Sequence, residues 1–539
     1  MKSHKRGLDF YFFGEDFPRE AYRRVLIFQE DLMYRFPLAV GLSFLFLFSS
    51  LAFAQSSDEE LFFPLSEAEM LDTSTLEEKI LVNRVVDSVT HPGLRFRIMR
   101  VSYFSHMWKD GAWFGKVSIA VPLEIAPDRL GMMAICPIGS SNINPDFDLE
   151  RNYFEYTALE YGIPVMGIPM VGEHYGHTEI HDLSDYLNMQ FIETGDASWL
   201  GAYPSAAVRA RGITLLSKLT GHDINSVVHL GSSISAGHGY VLARFDSRIK
   251  GLVATGSIGC FQDLYPSDGS FVSSRPSVDA LAAMPEPMRD LFSYHRDPAV
   301  FGGELDCSVL LVTGIRDHAV PPLVVPKLTN ALGGETFQVQ VPDYGHGCGT
   351  HRHADAFRMW IDHVLLSEEK PEWTDVSAVR DGETFRCSAV LENEVELGEP
   401  RLWYLPVEDS LYFQSVNFSD TPDPNYTSAE WESIPMWKVG GEWVGEVPYV
   451  DPSMDHVAWF IDYRGGEARK RSYASTRVML HSSATFTGPP EKRGSGNDCF
   501  ATSIWAQRRL GTYLILFMMG MGLILVGLLS RPRRRGESI

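Results

Sequence analysis

The run Val227-Val-His-Leu-Gly-Ser-Ser-Ile-Ser-Ala-Gly237 restricts the possible folds of this chain more than any other stretch. An apolar, β-branched segment gives way to glycine and serine, and helix-compatible sequence follows over 238–245. That is the outline of a sharp strand-to-helix turn, which lifts a serine Oγ clear of the end of a sheet. Such a turn presses backbone against backbone, so the positions flanking the serine must be small. Gly231 meets that need two residues before Ser233; two residues after it, Ser235 stands where glycine is usual. Glycine-serine turns after strands are common, so the run alone does not establish a reactive serine. A second frame, Ser233-x-Ser235-x-Gly237, would make Ser235 the exposed hydroxyl. Register favours Ser233, because the apolar run covers 227–230 and a serine at 235 would already lie in the first turn of the helix.

Two later stretches complete a pattern. Leu310-Leu-Val-Thr-Gly-Ile-Arg-Asp317 is an apolar strand with an aspartate just past its end. Over 337–341 an alternating strand leads into Pro342-Asp-Tyr-Gly-His346-Gly. The chain order Ser, Asp, His, each at the carboxyl end of a strand, is that of the α/β hydrolases and differs from the chymotrypsin and subtilisin orders. The expected fold is therefore a mostly parallel sheet flanked by helices, with Ser233, Asp317 and His346 as the catalytic set. In that geometry the residue after the nucleophile, Ile234, gives one oxyanion-hole N–H. The loop after the strand at 132–136 gives the other, from Ile138 or Gly139. No cofactor is required.

The two ends read as targeting segments. Residues 36–53 are apolar, and Ala52-Phe53-Ala54 fits a signal-peptidase site; Met33-Tyr-Arg35 would form an ordinary basic start, which makes Met33 the expected initiator. An uncleaved N-terminal anchor is the rival reading. Residues 511–530 carry no charge, enough to cross a hydrocarbon core of ~30 Å. Arg531, Arg533, Arg534 and Arg535 follow, against Arg508 and Arg509 before it, which places the C-terminus in the cytoplasm. The expected location is the extracytoplasmic face of a bacterial envelope, anchored in the inner membrane by the C-terminal helix. A net charge of −22 argues against a nucleic-acid partner. Six cysteines without a C-x-x-C pair give no zinc ribbon or redox motif, and leave room for one or two disulfides.

Between the ends, a leader and signal peptide (1–54) precede a polar lead-in with a helix over 75–86, capped by Ser74 with Glu77. The catalytic domain spans 83–368, opening on a hairpin around Lys109-Asp-Gly111 and carrying an irregular, cap-forming insertion at about 256–305. Helices are expected over 148–161, 204–219, 323–332 and 351–366. In Glu173-His174-Tyr-Gly-His177-Thr-Glu-Ile-His181-Asp182 the histidines invite a metal, but the glycine between them breaks a shared helical face. A solvated loop, or pocket lining by His174 and His177, fits better, and Tyr344 is a further candidate for the pocket; no metal is expected. A β-sandwich follows over 375–483, with strands at 385–391, 401–405, 442–447 and 457–463, then a linker (484–510), the membrane helix and a basic tail (531–539). Its tryptophans read as core, with a carbohydrate-binding surface as the alternative.

With these pieces assembled, the chain resembles the PhoPQ-activated pathogenicity-related protein family of exported α/β hydrolases. The likeness rests on the 204–219 helix, on Gly259-Cys-Phe-Gln-Asp-Leu-Tyr265 and on Ala458-Trp-Phe-Ile-Asp-Tyr463. Around the turn at Ser233 it is also similar to acetyl esterases and cephalosporin deacetylases. The resemblance implies an envelope hydrolase acting on a small ester or an acylated envelope component. The Ser235 position and the C-terminal segment depart from the family pattern. The alternative is a catalytically silent binding protein on the same fold.

Overall fold

The computed structural model describes residues 62–137, 148–168, 180–256, 259–260, 280, 283–317, 320, 325–347, 349–395, 398–407, 429–451, 453–454, 456–466 and 471–482. All belong to one compact unit that runs from Phe62 onward. The leader, the linker, the 511–530 segment, Ile138, Gly139, His174 and His177 lie outside the described residues. Among the described residues no helix is long and apolar enough to cross a membrane.

A nine-stranded sheet forms the centre. Its strands are β1 (Lys79–Asp87), β2 (Arg95–Trp108), β3 (Gly111–Pro122), β4 (Met132–Pro137), β5 (Val165–Ile168), β6 (Ser226–Ser232), β7 (Ile249–Thr255), β8 (Ser308–Gly314) and β9 (Thr336–Val341). Their order is β1-β2-β3-β5-β4-β6-β7-β8-β9. The first three are antiparallel, β5 runs antiparallel to β3, and every pair from β5 through β4 to β9 is parallel. The exchange of β4 and β5 and the parallel run through β6 to β9 are the strand order of an α/β hydrolase with one additional antiparallel strand at the front. Lys109 and Asp110 both take positive φ, 45° and 62°, which closes the β2–β3 hairpin with the right twist.

The helices are α1 (Glu67–Leu71), α2 (Asp148–Tyr161), α3 (Ile180–Thr194), α4 (Ala202–Thr220), α5 (Ile234–Phe245), α6 (Glu286–Arg296), α7 (Val325–Ala331) and α8 (His351–Leu366). Successive strand residues feed opposite cores, as a period of two demands. Val227 packs with Tyr240, Leu216 and Ile119 on the α4–α5 side. Val228 and Leu230 pack with Phe154, Phe357 and Trp360 on the α2–α8 side. Helix α4 is buried without a break from Ala202 to Leu216, which makes it a core helix rather than a surface one. It buries two arginines; Arg211 donates to the carbonyls of Glu69 and Met70 at 2.8 and 3.2 Å and so ties down the end of α1.

Some expectations are corrected. Residues 79–87 form β1, not a helix over 75–86; β1 pairs antiparallel with β2 in a register that sets Val86 opposite Phe96. The capping box belongs to Ser66 and Glu69 at the start of α1, not to Ser74 and Glu77. The sheet therefore begins before residue 83. In the insertion, α6 and a following turn of helix (Pro298–Phe301) replace irregular chain, and Phe292 and Phe301 enter the main core. The histidine-rich stretch lies outside the described residues as far as 179; from Ile180 the chain forms α3, whose Leu183, Leu187 and Phe191 are all buried.

The C-terminal domain is the expected sandwich, from β10 (Glu372–Asp381) and β11 (Thr384–Glu392) through β12 (Arg401–Val407), β13 (Glu432–Pro435), β14 (Trp437–Val439), β15 (Glu442–Val447) and β16 (His456–Gly465) to β17 (Ser472–Ser475) and β18 (Met479–Ser482). One sheet has the order β10-β11-β15-β14; in the other, β12 and β16 carry β13, β17 and β18. Trp403, Trp431 and Trp459 are buried, so most of the tryptophans form core, while Trp437 is 46 % exposed. The sandwich is fastened to the hydrolase sheet. Tyr473 sits in the α2–α8 core and its hydroxyl donates to the Gln340 carbonyl at 2.6 Å, while Gln340 N–H donates to Ser475 Oγ at 2.5 Å. The described cysteines, Cys136, Cys260, Cys307 and Cys387, are buried and not in disulfides, and burial pushes the thiols of Cys307 and Cys387 up to about 12.

Candidate active site

Strand β6 ends at Ser232 and α5 begins at Ile234, leaving Ser233 alone on the turn with φ 54° and ψ −125°. A non-glycine residue in that region is strained and persists only where its surroundings hold it. Ser233 N–H donates to the Thr255 carbonyl at 2.8 Å, which pins the turn to the end of β7. The crowding inferred from the sequence is present: a Cβ at Gly231 would meet Ala236 Cα at 2.6 Å and Ala236 N at 2.8 Å. At Gly237 a Cβ would meet nothing within 4 Å, so the second frame lacks the crowding that an exposed serine at 235 would impose. Ser235 is buried on α5, and its Oγ accepts a hydrogen bond from buried Arg209 at 3.3 Å. That contact accounts for serine where glycine is usual.

The three sequence-predicted catalytic side chains meet. His346 Nε2 lies 2.8 Å from Ser233 Oγ, and His346 Nδ1 lies 3.0 and 3.1 Å from the two oxygens of Asp317. Asp317 is fully buried and also accepts from Val320 N–H at 3.1 Å. Both loops are held by the ends of neighbouring strands. Arg316 N–H donates to the Tyr344 carbonyl at 2.9 Å, and Gly314 is needed because a Cβ there would collide with that carbonyl at 2.2 Å. Burial opposes charging of the His346 ring, but the hydrogen bond and charge of Asp317 outweigh it and raise the imidazole above its ordinary value.

Ile234 is the first residue of α5, directly after Ser233, so its N–H has no acceptor within the helix. The second donor, at Ile138 or Gly139, falls outside the described residues, as do His174 and His177. Tyr344, the further pocket candidate, is half-buried two residues before His346. Its ring packs edge-on against His353 at 4.8 Å and against the α2–α8 core, which steadies the loop that carries His346. His353 is a capping residue of α8, bound to Thr350, and burial lowers it to about 4.

Sequence reasoning missed Gly256. It has φ +52°, and a Cβ there would stand 3.0 Å from Asp317 Oδ2, 3.0 Å from His346 Nδ1 and 3.1 Å from His346 Cε1. Its N–H donates to the Val312 carbonyl at 2.8 Å, so β8 holds it against the Asp–His pair. The available signal was a glycine directly after a buried strand. Among the described residues no cluster of His, Cys, Asp or Glu could hold a metal.

No family model matches the chain, and no curated protein matches it. Among solved structures it is similar to acetyl xylan esterase 1 from a Thermoanaerobacterium species, at 14 % identity over 58 % of this chain and 98 % of that one, with a TM-score of 0.42. An acetyl xylan esterase from a Paenibacillus species gives 16 % identity over 58 % and 99 %, TM-score 0.42. The acylaminoacyl peptidase of Pyrococcus horikoshii gives 14 % over 54 % and 50 %, TM-score 0.37. The α/β-hydrolase fold of this chain stands on its own strand order and on the turn at Ser233.

Proposed function

We propose that this chain is a serine hydrolase that cleaves an ester, with an amide as the less suited substrate, through an acyl-enzyme. The observation that carries the reading is the continuous hydrogen-bond line from Ser233 Oγ through His346 to buried Asp317. Ser233 Oγ attacks the carbonyl carbon while His346 Nε2 takes its proton; Asp317 holds the ring in the tautomer with hydrogen on Nδ1 and stabilises the imidazolium. The Ile234 N–H stabilises the oxyanion; an interaction of that kind contributes about 3–4 kcal/mol. His346 then returns the proton to the leaving alcohol, and water repeats the sequence to release the acid.

The resemblance to the PhoPQ-activated family, the apolar 36–53 segment and the uncharged 511–530 segment support an exported enzyme, anchored in the inner membrane and facing outward, whose substrate is a small or envelope-borne ester. Labelling with a fluorophosphonate, paired with a p-nitrophenyl ester series of increasing chain length, tests the chemistry. A folded protein that takes no label and turns over no ester would favour a silent binding protein. Deletion of 508–539 should release active enzyme from the membrane; a truncated form that still sediments with membranes would overturn the C-terminal anchor.

A further inference from the structure

A cavity of about 310 Å³ opens at the seam between the hydrolase domain and the sandwich. Its charged lining is Arg352, Arg401, Arg464, Arg471, Glu399 and Asp462. Four guanidinium groups around one hollow are out of keeping with a chain of net charge −22. Two of them have carboxylate partners in the fold. Arg352 Nε donates to buried Asp462 at 3.2 Å, and Arg464 Nε donates to buried Asp355 at 2.6 Å. The other two do not. Arg401 bonds the Oγ and carbonyl of Ser433, which are neutral, and Arg471 makes no ion pair among the described residues. Against these two charges stands exposed Glu399. Like charges gathered in a partly desolvated hollow repel one another unless an anion joins them, and arginine's planar fork suits phosphate and sulfate oxygens.

We propose that this seam cavity is a binding site for a ligand bearing a phosphate or sulfate group, held chiefly by Arg401 and Arg471. Arg352 and Arg464 are fixed by their aspartates and present their remaining N–H groups as the wall. The volume admits a phosphorylated sugar as well as the bare anion. The site joins β12, β16 and the residue before β17 to the first turn of α8, so an occupant would tie the sandwich to the helix that follows the His346 loop.

The test is calorimetric titration of the full-length protein with inorganic pyrophosphate at constant ionic strength. Saturable binding is expected, and Arg471→Met should weaken it by roughly 10–100-fold, the loss of one charge-assisted hydrogen bond. Arg401→Met should do the same. Arg95→Met, on β2 near the opposite edge of the sheet, should bind as the unaltered protein does. Because Arg471 has no role in chemistry, its variant should keep fluorophosphonate labelling and its melting temperature without pyrophosphate, which separates this site from the hydrolase reading. Displacement of pyrophosphate by glucose 6-phosphate but not by phosphatidylglycerol vesicles would assign the anion to a soluble ligand; the reverse would assign it to a lipid headgroup, and either upholds the site. Absence of saturable binding, or equal weakening by Arg95→Met, would overturn it.

Discussion

Two residue substitutions separate the nucleophile from its neighbours. Ser233→Ala should abolish fluorophosphonate labelling and cut ester turnover by several orders of magnitude, as loss of a triad nucleophile does. Ser235→Ala should keep the label and most of the rate, but the Arg209 guanidinium loses an acceptor and stability should fall by about 1–2 kcal/mol, read as a lower urea midpoint. Labelling lost in Ser235→Ala and kept in Ser233→Ala would move the nucleophile by two residues. A sharper test is Gly256→Ala, far in sequence from all three triad members. A methyl group 3.0 Å from both Asp317 Oδ2 and His346 Nδ1 must push the pair apart, and kcat/KM should fall by about 10²-fold with the protein still folded. Activity at the unaltered level would show that the pair has more slack than its distances indicate. Ser233, Asp317 and His346 were legible because each follows an apolar strand in a telling order. Gly256 was not, because its role depends on two loops that approach it only in the folded sheet.

Among the elements, those whose partners are local or wholly buried were the most readable. The helix expected over 148–161 is α2, and the one over 351–366 is α8. Strand β1 was misread because it is a sheet edge with no buried residue, so it lacks the alternation that burial of one face imprints. Its strand character comes from pairing with β2, a partner that local pattern does not reveal. Helix α3 had a signal in Leu183, Leu187 and Phe191, spaced by four and all buried. The element with most bearing on engineering is β17. The triad lies inside 83–368, so the sandwich supplies none of its three side chains. Ile315, two residues before Asp317, is fully buried in a cluster with Trp403, Phe460 and Val478 of the sandwich. A fragment ending near Glu369 would bare Ile315 and leave Gln340 without its partners on β17, so it should label poorly and unfold at lower urea than the full chain. Full labelling and an unchanged midpoint in that fragment would show that the catalytic domain is self-sufficient.

For the whole molecule, pH acts in two opposed ways. Burial holds His229 at about 3 and His353 at about 4. Both are lowered relative to the unfolded chain, so the folded state binds fewer protons than the unfolded one between about 6.5 and those values, and stability is lost as pH falls through that window. At pH 5 the loss relative to pH 7 should be about 2 kcal/mol for each, seen as a falling urea midpoint. His346 is raised instead, so its contribution is present at low pH and lost as pH rises through its folded value. As a general base it must be neutral, so kcat/KM should climb with pH along a limb centred above the ordinary imidazole value. A limb centred below it would mean that Asp317 does not govern the ring. The chain is made from its N-terminus, so the hydrolase sheet reaches β9 long before β17 exists to occupy Gln340. Until then Gln340, on the outer edge of β9, lacks the Tyr473 and Ser475 hydroxyls that bond its carbonyl and N–H in the folded molecule. A chain stopped short of the sandwich bares that stretch of edge together with Ile315, and it should be prone to aggregate before it is slow to catalyse.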